Sequence, residues 1–413
     1  MANKLRNDKT CVASVVFCFL MLSFVHMTKA SQARVTQAKE LEVQKLLNKL
    51  NKPAVKSLKS PDGDTIDCVH ISHQPAFDHP KLKNHKLQMR PTFLPKGIKS
   101  FPESSKTIDQ MWHQSGSCPE GTIPIRRTTK DDIMRASSFQ RFGMKDNMSI
   151  PNLSDSLYSS ANNHEYATAE VVKDIYYGAK AFLNVWKSNV QQRNELSLSQ
   201  IWVMNQGDND NVQSIEAGWQ IHPMLYGDDR PRLFAYWTSD SYERTGCYNL
   251  QCSGFVQVTN AVVMGGTIGP LSLYDNTQYE FNLLIWKDRG TGNWWLQFQN
   301  VFVGYWPAFM FESLSESATV IQWGGEVINR KSNGRHTSTE MGSGYFPRVG
   351  FGRASYFRDL STVNENNYLV IPNYIRDYAS KPRCYDIVLN GYSRDFGAHF
   401  FYGGPGRNPY CPI

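Results

Sequence analysis

The 413-residue sequence predicts an all-β protein. The expected architecture is an antiparallel β-sandwich or curved double sheet of about 250 residues, preceded by a mostly extended segment with one short helix. Three observations predict it. Beyond about residue 161, short runs of strand-forming residues follow one another and turn residues punctuate them. Aromatic residues make up 13% of the chain, as suits pleated, half-buried surfaces. Apolar spacing of the helical kind is almost absent from the same stretch.

In chain order, the first thirty residues read as a secretory signal. Lys4, Arg6 and Lys9 precede an apolar run, Val12–Val25, and Thr28-Lys29-Ala30 is a small-residue cleavage site. The run is short for a membrane span, so the mature chain is expected to be exported, to the exterior, cell wall or vacuole. Val43, Leu46, Leu47 and Leu50 then fall at helical spacing, and Asn51-Lys52-Pro53 ends the pattern. From Asp67 to Pro102 the chain is rich in proline, histidine and lysine without periodicity, and reads as extended and draped over another surface. Five of the ten histidines (His70, His73, His79, His85 and His113) lie between residues 31 and 128. Their spacing fits no metal site; they read as loop residues, or as acid sensors that add charge to a basic segment.

Between about 128 and 160 the sequence is polar and turn-rich and carries two N-glycosylation sequons, at Asn147 and Asn152. Such exposed stretches are where processing cuts fall. The strand-like runs then follow: Ala167–Val172, Tyr176–Trp186, Leu198–Asn205, Ser214–His222, Arg232–Thr238, Phe255–Thr259, Tyr279–Lys287, Asn293–Val303, Thr319–Ile328, Tyr385–Leu389 and His399–Tyr402. The resulting division is 1–30 signal, 31–160 pro-segment and linker, and 161–413 the main domain.

The basic excess behind the net charge of +7 lies entirely upstream of residue 129, and residues 129–413 are slightly acidic. A nucleic-acid partner needs a basic face on the folded domain, so nucleic acid is not expected, nor is a membrane. Six cysteines remain beyond the signal: Cys68, Cys118, Cys247, Cys252, Cys384 and Cys411. In an oxidising compartment they form three disulfides, and of about 15 possible pairings proximity in sequence favours 68 with 118, 247 with 252 and 384 with 411. No Cys-x-x-Cys pair with histidine spacing is present, so no metal and no cofactor are expected.

Two strand-like segments carry the same groups in mirror order: Glu216-Ala217-Gly218-Trp219-Gln220 and Gln322-Trp323-Gly324-Gly325-Glu326. Side chains alternate along a strand. Glu216, Gly218 and Gln220 therefore share one face, as do Gln322, Gly324 and Glu326, while Trp219 and Trp323 turn into a core. Each segment offers a carboxyl, a bare stretch of backbone and an amide, the apparatus for binding a polymer main chain at Gly218, Gly324, Gln220 and Gln322 and for dividing proton work between two acids. Were the two strands paired antiparallel with the glycines opposed, Glu216 would face Glu326 directly and the two would titrate as a unit. A lone glutamate on a polar strand face is ordinarily just solvated; the mirrored context is what singles these out. No nucleophile elbow, zinc-binding helix or phosphate loop accompanies them.

Gln213–Pro223, Thr319–Val327, Gly246–Phe255 and Gly403-Gly404-Pro405-Gly406 resemble neprosin, a family of secreted glutamic endopeptidases. The upstream stretches Asp67-Cys68-Val69, Gln74–Pro80 and Ser115–Ile125 resemble that family's activation peptide. The resemblance implies a zymogen whose pro-segment covers the cleft as an intramolecular inhibitor, hydrolysis by a glutamate pair at acid pH, and a preference for proline at the cleaved bond. Glu216 and Glu326 fill its catalytic positions. A monomer acting on peptide or protein is expected. The alternatives are a β-sandwich glycoside hydrolase using the same carboxyls, whose cleft would show aromatic rings beside the acids, and a secreted binding module without catalysis.

Overall fold

A strand with alternate apolar side chains must cover one face, and here two sets of such strands cover each other. The computed structural model describes residues 36–97, 108–145, 163–207 and 211–411. The expected signal segment, both sequons at Asn147 and Asn152, and much of the linker lie outside the described residues.

The chain divides into two units. In Met1–Lys49, residues 36–49 are helical, with Val43 buried and Leu46 and Leu47 half-buried, the stripe that the spacing predicts. The second unit, Leu50–Ile413, holds the sheets. A seven-stranded sheet runs Cys247–Tyr248, Arg232–Thr238, Val212–Ile221, Ser197–Gln206, Ala318–Ile328, His164–Tyr176, Arg376–Ala379. A nine-stranded sheet runs Val256–Gln257, Val301–Trp306, Trp294–Phe298, Glu280–Lys287, Gly178–Asn184, Ser355–Val363, Gly397–Gly403, Asp386–Ser393, with Leu369–Val370 paired to Ser355–Val363. Neighbouring strands pair antiparallel in both. The all-β double-sheet class is thus the one expected.

The main core lies between the sheets. Ile201, Val203, Ile215, Trp219, Ile321 and Trp323 from the seven-stranded sheet join a buried cluster with Ala181, Leu183, Leu283, Ile285, Trp294 and Phe357 from the other. Each large side chain so buried contributes about 1.5–3 kcal/mol. Trp219 and Trp323 are fully buried there, on the inward face assigned to them.

Several elements differ from expectation, two of them instructively. The run Asn293–Val303 is a hairpin that turns at Gln299, a non-glycine residue with φ 53°; no glycine or proline marks that turn. The strand Ser355–Val363 was not anticipated. Its pairing with Gly178–Asn184 shifts register between Arg358 and Ser361. Phe357 and Leu360, three apart, therefore both reach the core, and the alternation that betrays a strand is broken by the bulge.

The upstream segment carries more structure than a draped chain. Ala54–Lys59, Thr65–His70 and Thr122–Arg126 form a three-stranded antiparallel sheet, and Cys68–Cys118 ties it to the loop before the third strand. The segment docks on the double sheet largely by imitating main chain. The Gln74 amide accepts from Gln257 N at 2.8 Å and donates to Gln257 O at 3.0 Å; Gln110 does the same with Val263. The Asp288 carboxylate accepts from the backbone N–H of Thr92 and Phe93. Cys247–Cys252 and Cys384–Cys411 complete the three expected disulfides. Among the described residues no helix is long and apolar enough to cross a membrane.

Candidate active site

The expected direct pairing of the two glutamate strands does not occur. Ser197–Gln206 lies between them, antiparallel to both, so Val212–Ile221 and Ala318–Ile328 run parallel to each other. Mirror order in parallel strands has a different consequence from mirror order in antiparallel neighbours. Gln200 of the middle strand is opposed to Gly218 on one side and Gly324 on the other. Trp202 is opposed to Glu216 and Gln322, and Leu198 to Gln220 and Glu326. The two carboxyls sit diagonally across Gln200, on the same face, and are not a directly opposed pair.

The glycines permit close strand approach. A Cβ on Gly218 would stand 1.9 Å from Ser199 O and 2.6 Å from Gln200 Cα; one on Gly324 would stand 2.3 Å from Ala167 O. The backbones they admit are those of neighbouring strands.

Both carboxyls are sealed from solvent: Glu216 is 0% and Glu326 1% exposed. Their hydrogen bonding is unequal. Glu216 Oε1 accepts from Tyr242 OH at 2.7 Å and Ser214 Oγ at 3.0 Å, and Oε2 accepts from Gln200 Nε2 at 2.9 Å and Lys145 Nζ at 2.6 Å. Glu326 Oε1 meets His164 Nδ1 at 2.5 Å, while its Oε2 is buried without a hydrogen-bond partner. A buried, unsatisfied carboxylate oxygen is costly and calls for a reason. Glu326 lines a cavity of about 80 Å³ together with Lys145, His164, His222 and Tyr248. That is room for a few water molecules, not for a peptide. Gln200 Oε1 is likewise buried and unpartnered.

The two acids are linked electrostatically through shared neighbours. Burial alone would raise the Glu326 pKa, yet the charge of Lys145, the hydrogen bond and charge of His164, and the charge of His222 outweigh it and hold this carboxyl below its ordinary range. Burial, then the Lys145 charge, push His222 down to about 4, against the opposing pull of Glu326. Tyr166 and Tyr248, pushed well up by burial, feel both Glu326 and Glu216. Their hydroxyls stay protonated.

The expected amides are engaged elsewhere: Gln220 donates to Tyr226 OH at 3.0 Å and Gln322 to Glu170 Oε2 at 2.8 Å. Sequence reasoning missed Gln200, His164 and Lys145. Gln200 and His164 share the parity of the carboxyl face, but only the strand order brings them to it. Nothing local marks Lys145, which arrives from the upstream segment. That segment crosses the pocket: Tyr248 N donates to Gly143 O at 2.7 Å, and Lys145 N to Tyr236 OH at 3.3 Å. The carboxyl face is also strongly aromatic, with Tyr166, Trp202, Tyr236, Tyr242 and Tyr248 buried in one cluster. The absence of rings beside the acids, expected from Trp219 and Trp323 alone, therefore does not hold, because these rings come from other strands and a neighbouring loop. His336, Cys384 and Cys411 bring ligand-type atoms within 4.8 Å of one another. The two sulfurs are bonded to each other and His336 Nε2 bonds Glu165, so the group offers no metal site.

Two family models match. The one described as Neprosin covers residues 193–405 and the one described as Neprosin activation peptide covers 57–170. Among solved structures, the chain is similar to Scytalido-glutamic peptidase with a peptide-based transition-state analog, at 11% identity over 59% of this chain and 98% of that one, TM-score 0.32. It is also similar to SCP-B, a member of the Eqolisin family of peptidases, in complex with a tripeptide, at 12% identity over 58% and 97%, TM-score 0.31. A third similarity is to CG-16, a homodimeric agglutinin from chicken liver, at 8% identity over 39% and 93%, TM-score 0.22.

Proposed function

This chain belongs to the Neprosin family and carries its activation peptide, and from that premise we propose that it is a glutamic endopeptidase, made as a zymogen and exported, with Glu216 and Glu326 as its catalytic acids. The observation that carries the reading is the placing of two buried carboxyls on one sheet face, one of which keeps an unpartnered oxygen and lines a cavity with room for a few water molecules. A lysine of the activation-peptide region is bonded to the other.

The chemistry is direct hydrolysis. One glutamate, ionised, takes a proton from a water whose oxygen attacks the scissile carbonyl carbon, and the carbonyl electron pair moves onto its oxygen. The other glutamate, protonated, bonds that developing oxyanion and then passes its proton to the leaving nitrogen as the C–N bond breaks. The Gln200 amide, already bonded to Glu216, stands between the two acids. Gly218, Gly324, Gln220 and Gln322 share that sheet face and are proposed to meet the substrate main chain once the upstream segment has left. The aromatic wall suits a compact apolar ring, and cleavage is proposed next to proline. Residues 31–160 are assigned to the pro-segment and its linker, and 161–413 to the peptidase domain, acting as a monomer.

A glycoside hydrolase would use the same carboxyls and the same aromatic wall, and an assay separates the two. The full-length chain, incubated at falling pH, should cleave a proline-containing peptide and leave a glucan untouched. Glu216→Gln and Glu326→Gln should each cut the rate by at least about a hundredfold with the far-ultraviolet spectrum unchanged. Full activity in either variant would remove that residue from the mechanism; glucan cleavage alone would overturn the peptidase reading.

A further inference from the structure

We propose that His164 is a positioning residue that acts through Glu326: its ring holds Oε1 so that Oε2 alone faces the cavity, making Glu326 the carboxylate that takes the proton from the attacking water. The inference rests on the peptidase reading above and deepens it by dividing the roles of the two acids.

The geometry is specific. His164 opens the strand His164–Tyr176 and is opposed to Ile328, diagonal to Glu326 on the same face. Its side chain is 6% exposed and that of Glu326 is 2%. Nδ1 lies 2.5 Å from Oε1, and that is the only hydrogen bond to this carboxylate among the described residues. A carboxylate held by one oxygen presents the other in a fixed direction, with a lone pair free for a water proton. Glu216 is the reverse case, with donors on both oxygens. It is placed to bond an oxyanion once Lys145 has withdrawn and a proton has replaced it. The other ionisable groups around Glu326 include Tyr166 on the His164 strand, His222 at the end of the Glu216 strand, Tyr248, and Lys145 from the upstream segment, and Asp132, Arg141 and Arg330 line the same cavity. Lys145 leaves with that segment, so in the processed enzyme the His164 hydrogen bond carries more of the task of keeping Glu326 ionised.

His164 also falls inside the stretch 57–170 matched as activation peptide, although its strand is built into the sheet that carries Glu326. Processing must therefore cut before residue 164 to leave the site whole.

The test compares acid-activated full-length wild type, His164→Ala and His164→Asn, with Glu326→Gln alongside, by pH profiles of kcat and KM. Alanine should move the acid limb of the profile up by about one pH unit and lower kcat about tenfold, with KM within about twofold. Asparagine keeps an N–H near the position of Nδ1 and should retain more than about a third of kcat; it decides the matter alone if alanine does not fold. Wild-type limbs in both histidine variants, or an asparagine variant no better than alanine or, with alanine unfolded, below that third, overturn the assignment even where Glu326→Gln is inactive. An active Glu326→Gln overturns the peptidase reading itself.

Discussion

Lys145 Nζ lies 2.6 Å from Glu216 Oε2, and the two side chains are 5% and 0% exposed. The ammonium also sits over the rings of Tyr236 and Tyr242, at 4.9 and 5.3 Å from their centroids. A cation from the upstream segment is thus locked onto one of the two candidate acids by an ion pair and two ring faces. Removing one partner of a buried pair leaves an uncompensated charge and costs about 3–5 kcal/mol. In Lys145→Ala the segment should lose its hold. The unprocessed variant is expected to melt at lower temperature than wild type and to cleave a peptide substrate that unprocessed wild type does not. Intact mass must be checked in the same samples. An unprocessed variant as silent as wild type would show that covering the pocket, without the charge, keeps it closed.

Side-chain alternation made the carboxyl face legible: Glu216 and Glu326 share a face and the tryptophans between them turn to the core, because parity is a local property of a strand. The register between distant strands is not local. That Ser197–Gln206 inserts between the glutamate strands depends on sheet order, and no spacing in the sequence encodes it. The pairs Cys247–Cys252 and Cys384–Cys411, 5 and 27 residues apart, were readable for the same reason that the helix ending near Leu50 was. The upstream sheet was not, since its three strands are separated by up to some fifty residues of turns and loops and pair through contacts that leave no period.

Gly324 tests whether the close strand approach is structural. An added Cβ would meet Ala167 O at 2.3 Å and Thr168 Cα at 2.7 Å, both main chain and unable to move aside like a side chain, and the residue's φ is 155°. Gly324→Ala should destabilise the protein by about 2 kcal/mol or more. Thermal denaturation of the full chain reads this directly. An unchanged melting temperature would mean that the strands Ala318–Ile328 and His164–Tyr176 can part without cost.

Asp288 gives the docked segment a carboxylate anchor. Burial would raise its pKa, but the N–H groups of Thr92, Phe93 and Gly290 and the Gln88 amide lower it. A carboxyl lowered in the docked state stabilises docking fully above the ordinary value of about 4 and loses that contribution as pH falls below it. Asp288→Asn should therefore melt lower than wild type at pH 7, by an amount corresponding to about 1–3 kcal/mol, with the gap narrowing below pH 4. A gap that stays constant down to pH 3 would exclude Asp288 from the acid response.

The milder acid range falls to histidine. His85 of the upstream segment meets Tyr305 OH at 2.7 Å, and burial lowers its pKa; His79 is lowered by burial and then by the Lys81 charge. Tyr305, pushed up to about 12 by burial, stays a neutral hydroxyl throughout. A histidine that is harder to protonate when docked than when released takes up its proton on release. Between about 6.5, the ordinary imidazole value, and the lower docked value, the released form binds more protons. Acidification in that window therefore favours release. Glutamine at position 85 can keep a hydrogen bond to Tyr305 but cannot take a proton. His85→Gln should shift the pH at which half the full-length chain converts to a shorter form downward, and His79→Gln/His85→Gln further still, as followed by intact mass after a fixed incubation. Conversion curves that coincide with wild type would remove His79 and His85 from the trigger.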